Sequence, residues 1–280
     1  MAGKLYIVAT PIGNLADISE HAIETLKQVD LIAAEDTRHS KTLLNRNTIN
    51  TNVCAYHEHN ESQTTPKLIQ QIIDGLDLAL ISDAGTPLIN DPGYKLINAA
   101  YDNNIQVIPV PGPSAVITAL CASGLPTNRF VFEGYLPAKT EARKKYLEHC
   151  SLEQRTLVFY EAPHRILDVI KDMCDVFGIK RRVSIARELT KQFEQIVRAE
   201  LGQIVTKLEA EEIKIKGEFV IVVEGILQQQ TDDTEALRIH QILARELPPK
   251  KAAELTAKIT GKKKNAVYQL TINIEKNQSN

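Results

Sequence analysis

The 280-residue sequence predicts an α/β protein of two units followed by a small C-terminal helical unit. In the first part of the chain, short apolar runs alternate with amphipathic segments, as in βαβ units with a mostly parallel sheet. In the second part, strand candidates also follow one another without a helix between them, which favours a mixed sheet. Beyond residue 230 the chain shows helical patterns only.

The first unit, residues 1–124, contains five strand candidates. Runs of Val, Ile, Leu and Ala are typical of strands that a parallel sheet buries on both faces. The candidates occupy residues 5–9, 31–34, 53–56, 78–81 and 107–110. Amphipathic segments at residues 18–29 and 66–73 predict connecting helices. This unit is therefore predicted to be a doubly wound, mostly parallel sheet.

The second unit, residues 125–227, begins within a linker of glycine, proline and short polar residues at 123–128. Its strand candidates are residues 130–135, 156–160, 183–186, 193–198 and 218–223. Its helical segments are residues 140–150, 163–176 and 201–208. A ligand is expected in the cleft between the two units.

The C-terminal appendage, residues 231–280, is predicted to follow a flexible polar linker at 228–233. Its helical segments are residues 235–247, 249–260 and 262–271. Gly261 lies where a helix–turn–helix corner would need a glycine. The appendage has nine basic and six acidic residues, whereas the rest of the chain has 24 and 29. This excess favours RNA contact, although such a unit can also be a cap or a dimerisation element.

The composition is that of an ordinary globular protein, with 43% hydrophobic and 24% charged residues and a net charge of -2. Local basic clusters lie at residues 143–145 and 180–182. The four cysteines are far apart, which predicts reduced thiols rather than disulfides or a zinc site. No apolar run approaches the ~20 residues of a membrane span, and the N-terminal run is too short for a signal peptide. We therefore expect a soluble cytoplasmic protein without a metal or a membrane partner.

Three loops rich in proline and glycine follow strand candidates, at residues 10–14, 82–93 and 111–115. The carboxyl ends of parallel strands meet at one edge of a sheet, where open α/β folds bind ligands. None of the loops contains a dinucleotide or P-loop fingerprint. They favour a ligand held by shape and by neutral hydrogen bonds, although a plain strand-to-helix connection is the alternative for 82–93. S-adenosylmethionine, with an adenosine and a sulfonium but no phosphate, fits this description.

Two polar segments follow strand candidates at the same edge. Residues 35–38 (Glu-Asp-Thr-Arg) can accept a proton or clamp a phosphate, or can simply cap a helix. His57 can accept a proton or contact RNA, whereas the spacing of His57 and His59 does not favour a metal site. Further on, Tyr160 can stack on a base and Arg165 can hold a phosphate, although Glu161 and Arg165 can equally form a plain ion pair.

The segments at residues 5–14, 35–38, 82–93, 111–115 and 159–165 occur in the order found in the tetrapyrrole methylase superfamily. Together they resemble its branch that methylates small-subunit ribosomal RNA, and the resemblance covers essentially the whole chain. It implies two α/β domains of the tetrapyrrole methylase type. It also implies a homodimer that transfers a methyl group from S-adenosylmethionine to the ribose 2′-oxygen of a cytidine in 16S rRNA, as free rRNA or in the 30S subunit. The single glycine of residues 10–14 argues against a tetrapyrrole substrate.

The resemblance also suggests which residues form the site. The expected cofactor-binding residues are Thr10, Pro11, Asp83, Ala84, Gly85, Thr86, Leu88, Ser114, Ala115, Tyr160, Gly217 and Glu218. The expected catalytic residues are Glu35, Arg38 and His57, and the expected RNA-binding residues are Arg165, Lys262, Lys263 and Lys264. Two other functions remain open, namely a methyltransferase for a tetrapyrrole or other small molecule, and a non-enzymatic RNA-binding assembly factor.

Overall fold

The computed structural model describes residues 2–226, 228–263, 265–267 and 269. The first of its two sheets is entirely parallel, with the strand order β3-β2-β4-β1-β5. Its strands are β1 (Lys4–Val8), β2 (Leu31–Ala34), β3 (Asn52–Ala55), β4 (Leu78–Ile81) and β5 (Gln106–Val110). The predicted parallel sheet is confirmed. All four residues of β4 are buried, as expected of a strand covered by helices on both faces.

Five helices accompany the first sheet within the described residues. They are α1 (Glu20–Gln28), α2 (Thr37–Arg46), α3 (Glu61–Ile73), α4 (Tyr94–Asp102) and α5 (Ala115–Ser123). Helix α1 begins where the Ser19 side chain accepts a hydrogen bond from the amide of Ala22. The predicted start of α3 at Pro66 is wrong, because the helix begins five residues earlier and tolerates the proline inside it.

The second sheet is mixed, as predicted, with the strand order β6-β7-β10-β8-β9. Only β6 and β7 are parallel, and the remaining pairs are antiparallel. Its strands are β6 (Phe130–Tyr135), β7 (Thr156–Glu161), β8 (Arg182–Arg187), β9 (Gln195–Glu200) and β10 (Phe219–Val223), and its helices are α6 (Thr140–Cys150), α7 (Ile166–Phe177) and α8 (Leu201–Glu209). Helix α7 begins at Ile166 rather than at Pro163, which lies in the preceding turn.

Helix α5 joins the two sheets. Although it follows β5 in the chain, its apolar residues pack against the second sheet, where Val116 and Leu120 share a buried cluster with Val158 and Val220. Ile12, from the loop after β1, belongs to the same cluster. This shared core fixes the carboxyl edge of the first sheet against the second and leaves a cleft between them.

A buried ion pair lies within the second unit. The Nε atom of Arg143 donates to Asp172 at 2.6 Å, and its Nη1 atom donates to the carbonyl of Ala138 at 3.1 Å. The two charged side chains are 5% and 9% exposed. The basic cluster at residues 143–145 therefore presents fewer charges to solvent than its sequence suggests.

The C-terminal unit consists of α9 (Gln228–Leu243), α10 (Pro249–Thr260) and helical residues at 265–267 and 269. The prediction of a flexible linker at residues 228–233 is wrong, because α9 begins at Gln228. Gly261 ends α10 in the left-handed conformation with a φ of 71°, as the predicted corner requires. In the described part of the chain, no helix has the length and the apolar character needed to cross a membrane.

Candidate functional site

Hydrogen bonds from backbone and hydroxyl groups join the three loops at the carboxyl edge of the first sheet. Thr10 and Gly85 exchange two of them, at 2.8 Å and 3.1 Å between nitrogen and oxygen. The Thr10 hydroxyl also donates to the carbonyl of Ser82 at 3.1 Å. The Thr86 hydroxyl donates to the carbonyl of Pro113 at 3.1 Å. The loops after β1, β4 and β5 therefore form one surface.

The loop after β4 adopts backbone conformations that its sequence does not favour. Leu88 and Asn90 have φ angles of 73° and 69°, in the left-handed region that side chains with a Cβ rarely occupy. Gly93 has a φ of 137°, and a Cβ there would lie 2.7 Å from a methyl group of Leu80. Such strained positions persist only where the surrounding structure fixes them, and they are concentrated at functional sites.

A cavity of about 260 Å³ lies between this surface and the second sheet, and we call it the cofactor cleft after the ligand that the sequence predicts at this edge. Its lining residues are Ile12, Glu35, Asp83, Ala84, Gly85, Thr86, Ile89, Asn90, Asp91, Ser114, Ala115, Tyr135, Tyr160, Ala186, Leu189, Glu218, Phe219 and Val220. Among these described residues four are carboxylates and none is Lys, Arg or His. The cleft is therefore suited to a cationic ligand and unsuited to a phosphate.

Burial changes the acidity of the groups in the cofactor cleft. The pKa of Asp91 is raised to about 6, first by burial and then by the nearby charge of Glu35, whereas a hydrogen bond from Ser82 opposes the shift. Burial also raises the pKa of Glu35, despite a weak hydrogen bond of 3.4 Å from the amide of Asp83. The pKa of Tyr160 rises to about 12, first through burial and then through the charge of Asp91.

A second cavity, of about 300 Å³, adjoins the first and shares Ile12, Asp83, Ala84 and Glu218 with it. We call it the side cavity. Its other lining residues are Thr10, Pro11, Gly13, Leu15, His39, Ser40, Thr42, Leu43, Ile81, Ser82 and Lys191. The Lys191 ammonium lies 2.8 Å from carboxylate oxygens of both Glu188 and Glu218. Unlike the cofactor cleft, the side cavity is lined by a cationic group, the ammonium of Lys191.

Most of the expected cofactor-binding residues lie in these two cavities. Asp83, Ala84, Gly85, Thr86, Ser114, Ala115, Tyr160 and Glu218 line the cofactor cleft, and Thr10 and Pro11 line the side cavity. Leu88, which has a positive φ, instead packs against the core of the first sheet. Gly217 does not line either cavity, and a Cβ there would collide with the side chain of Glu188.

The three expected catalytic residues do not line the same cavity. Glu35 lines the cofactor cleft, but the Arg38 side chain is 87% exposed and pairs with Asp36 at 3.0 Å. Asp36 is also the N-cap of α2, so the capping alternative is confirmed for this residue. His57 lies outside both cavities, and its Nδ1 atom is buried without a hydrogen-bond partner among the described residues. Catalytic roles for Arg38 and His57 stay predictions, and only Glu35 is placed to contact a ligand in the cleft.

The expected RNA-binding residues are partly engaged inside the protein. One terminal nitrogen of Arg165 donates to the carbonyl oxygens of Leu136 and Pro137 and is thus used inside the protein, so phosphate binding by this side chain stays a prediction. Lys262 donates to Asp233 at 2.6 Å and is 17% exposed. Lys263 is exposed, and Lys264 lies outside the described residues. Only Lys263 is therefore seen to be available for a phosphate.

Several cleft residues were not expected from the sequence, notably Asp91, Asn90 and Tyr135. Asp91 belongs to the loop at residues 82–93, whose proline and glycine content favoured a ligand site. However, the sequence Asp-Pro-Gly is also typical of the start of a helix. The described residues contain no group of three or more His, Cys, Asp or Glu side chains that could hold a metal ion.

Comparisons with known proteins agree with this architecture. Residues 4–205 match the family described as Tetrapyrrole (Corrin/Porphyrin) Methylases, and residues 230–274 match the RsmI C-terminal HTH domain. A uroporphyrin-III C-methyl transferase from Thermus thermophilus, solved with S-adenyl homocysteine, covers 79% of this chain and 97% of its own with a TM-score of 0.54 at 15% identity. A diphthine synthase gives a TM-score of 0.61 at 12% identity, with coverage of 82% and 93%. These two structures show the fold.

Relatives of much higher sequence identity place the chain within a branch of the family. The ribosomal RNA small subunit methyltransferase I of Escherichia coli O157:H7 is 51% identical over 271 residues, which are 96% of this chain and 95% of that protein. The protein of the same name from Vibrio cholerae serotype O1 is 51% identical over 268 residues, with coverage of 95% and 93%. The chain therefore belongs to the tetrapyrrole methylase family and, within it, to the ribosomal RNA small subunit methyltransferase I branch.

Proposed function

We propose that the protein transfers a methyl group from S-adenosylmethionine to the ribose 2′-oxygen of a cytidine in small-subunit rRNA. The observation that carries this proposal is the cofactor cleft, where four carboxylates surround neutral backbone and apolar groups without a cation. A sulfonium is attracted by such a site, and an adenosine without phosphates needs no positive charge. Relatives about half identical over nearly the whole chain carry an rRNA methyltransferase name.

The residues of the cleft fit this cofactor. Gly85 brings backbone to the cleft without a side chain, and Ser114 and Ala115 present the start of α5. Tyr160 and Phe219 offer aromatic surface to an adenine, while Asp83 and Asp91 offer charge to a sulfonium. The bound cofactor supplies an activated methyl group, so most of the rate would come from the positions of the reacting atoms.

Glu35 is our candidate for the proton acceptor. As the oxygen–carbon bond forms, the carbon–sulfur bond breaks, the sulfur keeps the electron pair, and the hydroxyl proton must leave. Glu35 lines the cofactor cleft, and burial raises its pKa and thereby strengthens it as a base. Arg38, which is exposed, and His57, which lines neither cavity, are less favourably placed for this step.

The side cavity is the proposed location of the acceptor nucleotide. It shares a wall with the cofactor cleft at Asp83 and Ala84, so a ribose in it would face the transferable methyl group. Its hydroxyl groups and imidazole, from Thr42 and His39, can form hydrogen bonds with a nucleotide. A single nucleotide turned out of its RNA stack would be needed to reach it.

The C-terminal helical unit is the proposed RNA-binding element, in free rRNA or in the 30S subunit. Its support is the basic excess of residues 231–280, the exposed Lys263 and the match to an HTH domain. We also propose a homodimer, supported by the exposed Tyr94, Tyr101 and Ile117. A cytoplasmic location is proposed because rRNA is the substrate.

The direct test uses S-adenosylmethionine with a labelled methyl group and 30S subunits from cells that lack the gene. The label should appear in 2′-O-methylcytidine, which makes the adjoining phosphodiester bond resistant to alkali. The Glu35→Gln variant should be slower, by about 100-fold or more, when the cofactor is saturating. Label on a nucleobase, or transfer only to a porphyrin, would contradict the proposal.

Gly85 should be essential for cofactor binding. An added Cβ would lie 3.3 Å from Ile12 in the cleft wall, at a φ of 83° that disfavours alanine. Gly178, with a φ of 86° and no atom within 4 Å of its would-be Cβ, is a matched control. Both G85A and G178A should lose about 1–2 kcal/mol of stability through the backbone. Only G85A should weaken cofactor affinity, by roughly tenfold in calorimetry, and equal affinities in the two variants would refute this placement.

Cofactor binding should release a proton near pH 6. Unbound, Asp91 is about half protonated there, since its pKa is raised to about 6. A sulfonium favours the carboxylate and lowers this pKa, so affinity should fall as the pH falls through 6, about tenfold for each unit of pKa change. Calorimetry in buffers of different ionisation enthalpy measures the released proton. S-adenosylhomocysteine, with a neutral sulfur, and the D91N variant should release less, and an unchanged release from D91N would remove Asp91 from the site.

Substitutions of Lys262 and of Lys263 should differ in their effects on RNA affinity and on stability. K263Q should reduce the slope of log affinity for RNA against log salt by roughly 0.7–0.9, because one phosphate contact is lost. K262Q should mainly destabilise the C-terminal unit, by about 0.5–1 kcal/mol, because Asp233 loses its partner. Salt titrations of RNA binding and thermal unfolding of both variants measure the two effects. Equal slopes for K263Q and the unchanged protein would argue against RNA contact at this corner.

A further inference from the structure

Arg165, at the start of α7, lies directly behind the wall of the cofactor cleft. One of its terminal nitrogens donates to the carbonyl oxygens of Leu136 and Pro137, at 2.7 Å and 3.1 Å. Its Nε atom is 3.3 Å from a carboxylate oxygen of Glu161. The side chain is 20% exposed and that of Glu161 is fully buried. One terminal nitrogen of this arginine is therefore used within the protein, while its Nε atom is buried beside Glu161 without a hydrogen-bond partner among the described residues.

The two carbonyl groups belong to the chain that follows Tyr135, the last residue of β6. Tyr135 pairs in register with Tyr160, and their ring centroids are 5.7 Å apart. The ladder between β6 and β7 shifts its register between Phe132 and Gly134, just before this pair. Because regular strand pairing is interrupted there and ends at Tyr135, it cannot by itself fix the residues beyond. Arg165 supplies hydrogen bonds at that point.

Glu161 holds the arginine from the other side. One of its carboxylate oxygens accepts a hydrogen bond from the amide of Ala162 at 2.8 Å. The other is buried and has no hydrogen-bond partner among the described residues. A buried carboxylate with so few donors depends on the adjacent guanidinium for its charge compensation. The two side chains therefore form one unit, in which Glu161 orients Arg165 and Arg165 holds the chain beyond β6.

We propose that Glu161 and Arg165 are a positioning pair that holds the carbonyl groups of Leu136 and Pro137 and thereby sets the ring of Tyr135 in the wall of the cofactor cleft. Arg165 acts through Tyr135 on the cofactor and does not bind RNA. The inference rests on the proposed cofactor but not on the proposed acceptor. If the protein binds S-adenosylmethionine and does not methylate RNA, the proposed function fails and this inference still stands for testing.

The first test compares three arginine variants by calorimetry with S-adenosylmethionine. R165Q should bind the cofactor roughly tenfold more weakly, because charge-assisted hydrogen bonds to both carbonyls are lost. R165K keeps a charged donor and should recover most of that loss. R155Q is the matched control, since Arg155 pairs with Glu153 in the same unit, is 42% exposed and lies outside the cleft lining. Its affinity should equal that of the unchanged protein, and equal affinities for R165Q and R155Q would overturn the proposal.

A double-mutant cycle distinguishes positioning from plain stabilisation. Y135A should itself weaken cofactor binding, and adding R165Q to it should cause little further loss, because both substitutions remove the same contact. Additive losses, or no loss in Y135A, would overturn the proposal. If R165Q does not fold, E161Q takes its place in the cycle with the same expectation.

RNA binding gives the third measurement. If Arg165 contacted a phosphate, R165Q would reduce the salt slope of RNA affinity by roughly 0.7–0.9. The proposed positioning role predicts an unchanged slope for R165Q and a reduced slope for K263Q in the same assay. A reduced slope for R165Q would restore the phosphate contact and overturn the proposal.

Discussion

The pair of backbone hydrogen bonds between Thr10 and Gly85 is the constraint on which the site depends. Neighbouring parallel strands bring the ends of β1 and β4 together, but the loops beyond them are free to diverge. The bridge prevents this, and the Thr10 hydroxyl adds a third bond to Ser82. With the path of this loop fixed, Asp83 meets Glu35 and Thr86 meets the loop after β5. The left-handed residues that follow are then held by contacts on both sides rather than by their own preferences.

The charge distribution separates the proposed binding of the cofactor from the proposed binding of RNA phosphates. Four carboxylates in the cofactor cleft favour a cation and repel phosphates, so this cleft disfavours an RNA backbone. Only an uncharged part of a nucleotide, such as its ribose, can approach that wall closely, and the side cavity offers hydroxyl groups for it. Phosphates must be bound elsewhere, and the basic appendage is separate in sequence from this acidic cleft. Concentrating buried carboxylates is unfavourable for folding, which is why such clusters are characteristic of functional sites.

The sequence predicted the strands well where an apolar run is followed within two residues by proline or aspartate, as after β2, β4 and β6. Strands β2, β4 and β6 have the predicted bounds. The site was predictable where it follows from strand ends, as at Asp83 and Glu35. It was not predictable where side-chain direction depends on unusual backbone, as for Asp91 after the left-handed Asn90, or for Tyr135 after a register shift. The polar start of α9 gave no helical pattern to detect, because a helix confined to polar residues lacks the apolar repeat that marks one.

The basic residues show why charge in a sequence differs from charge at a surface. Arg143 neutralises a buried carboxylate, Arg165 holds two carbonyl groups, and Lys262 pairs with Asp233. A guanidinium can donate hydrogen bonds to a carboxylate and to several carbonyl oxygens at once. Arginine is therefore the basic residue that most readily forms such bonds inside a protein. A lysine of a basic cluster is likewise unavailable to a phosphate when its ammonium pairs with a carboxylate on a neighbouring helix, as Lys262 does with Asp233. RNA affinity in this family member must therefore be assigned residue by residue from exposure and partners, and on that basis Lys263 outranks both Arg165 and Lys262.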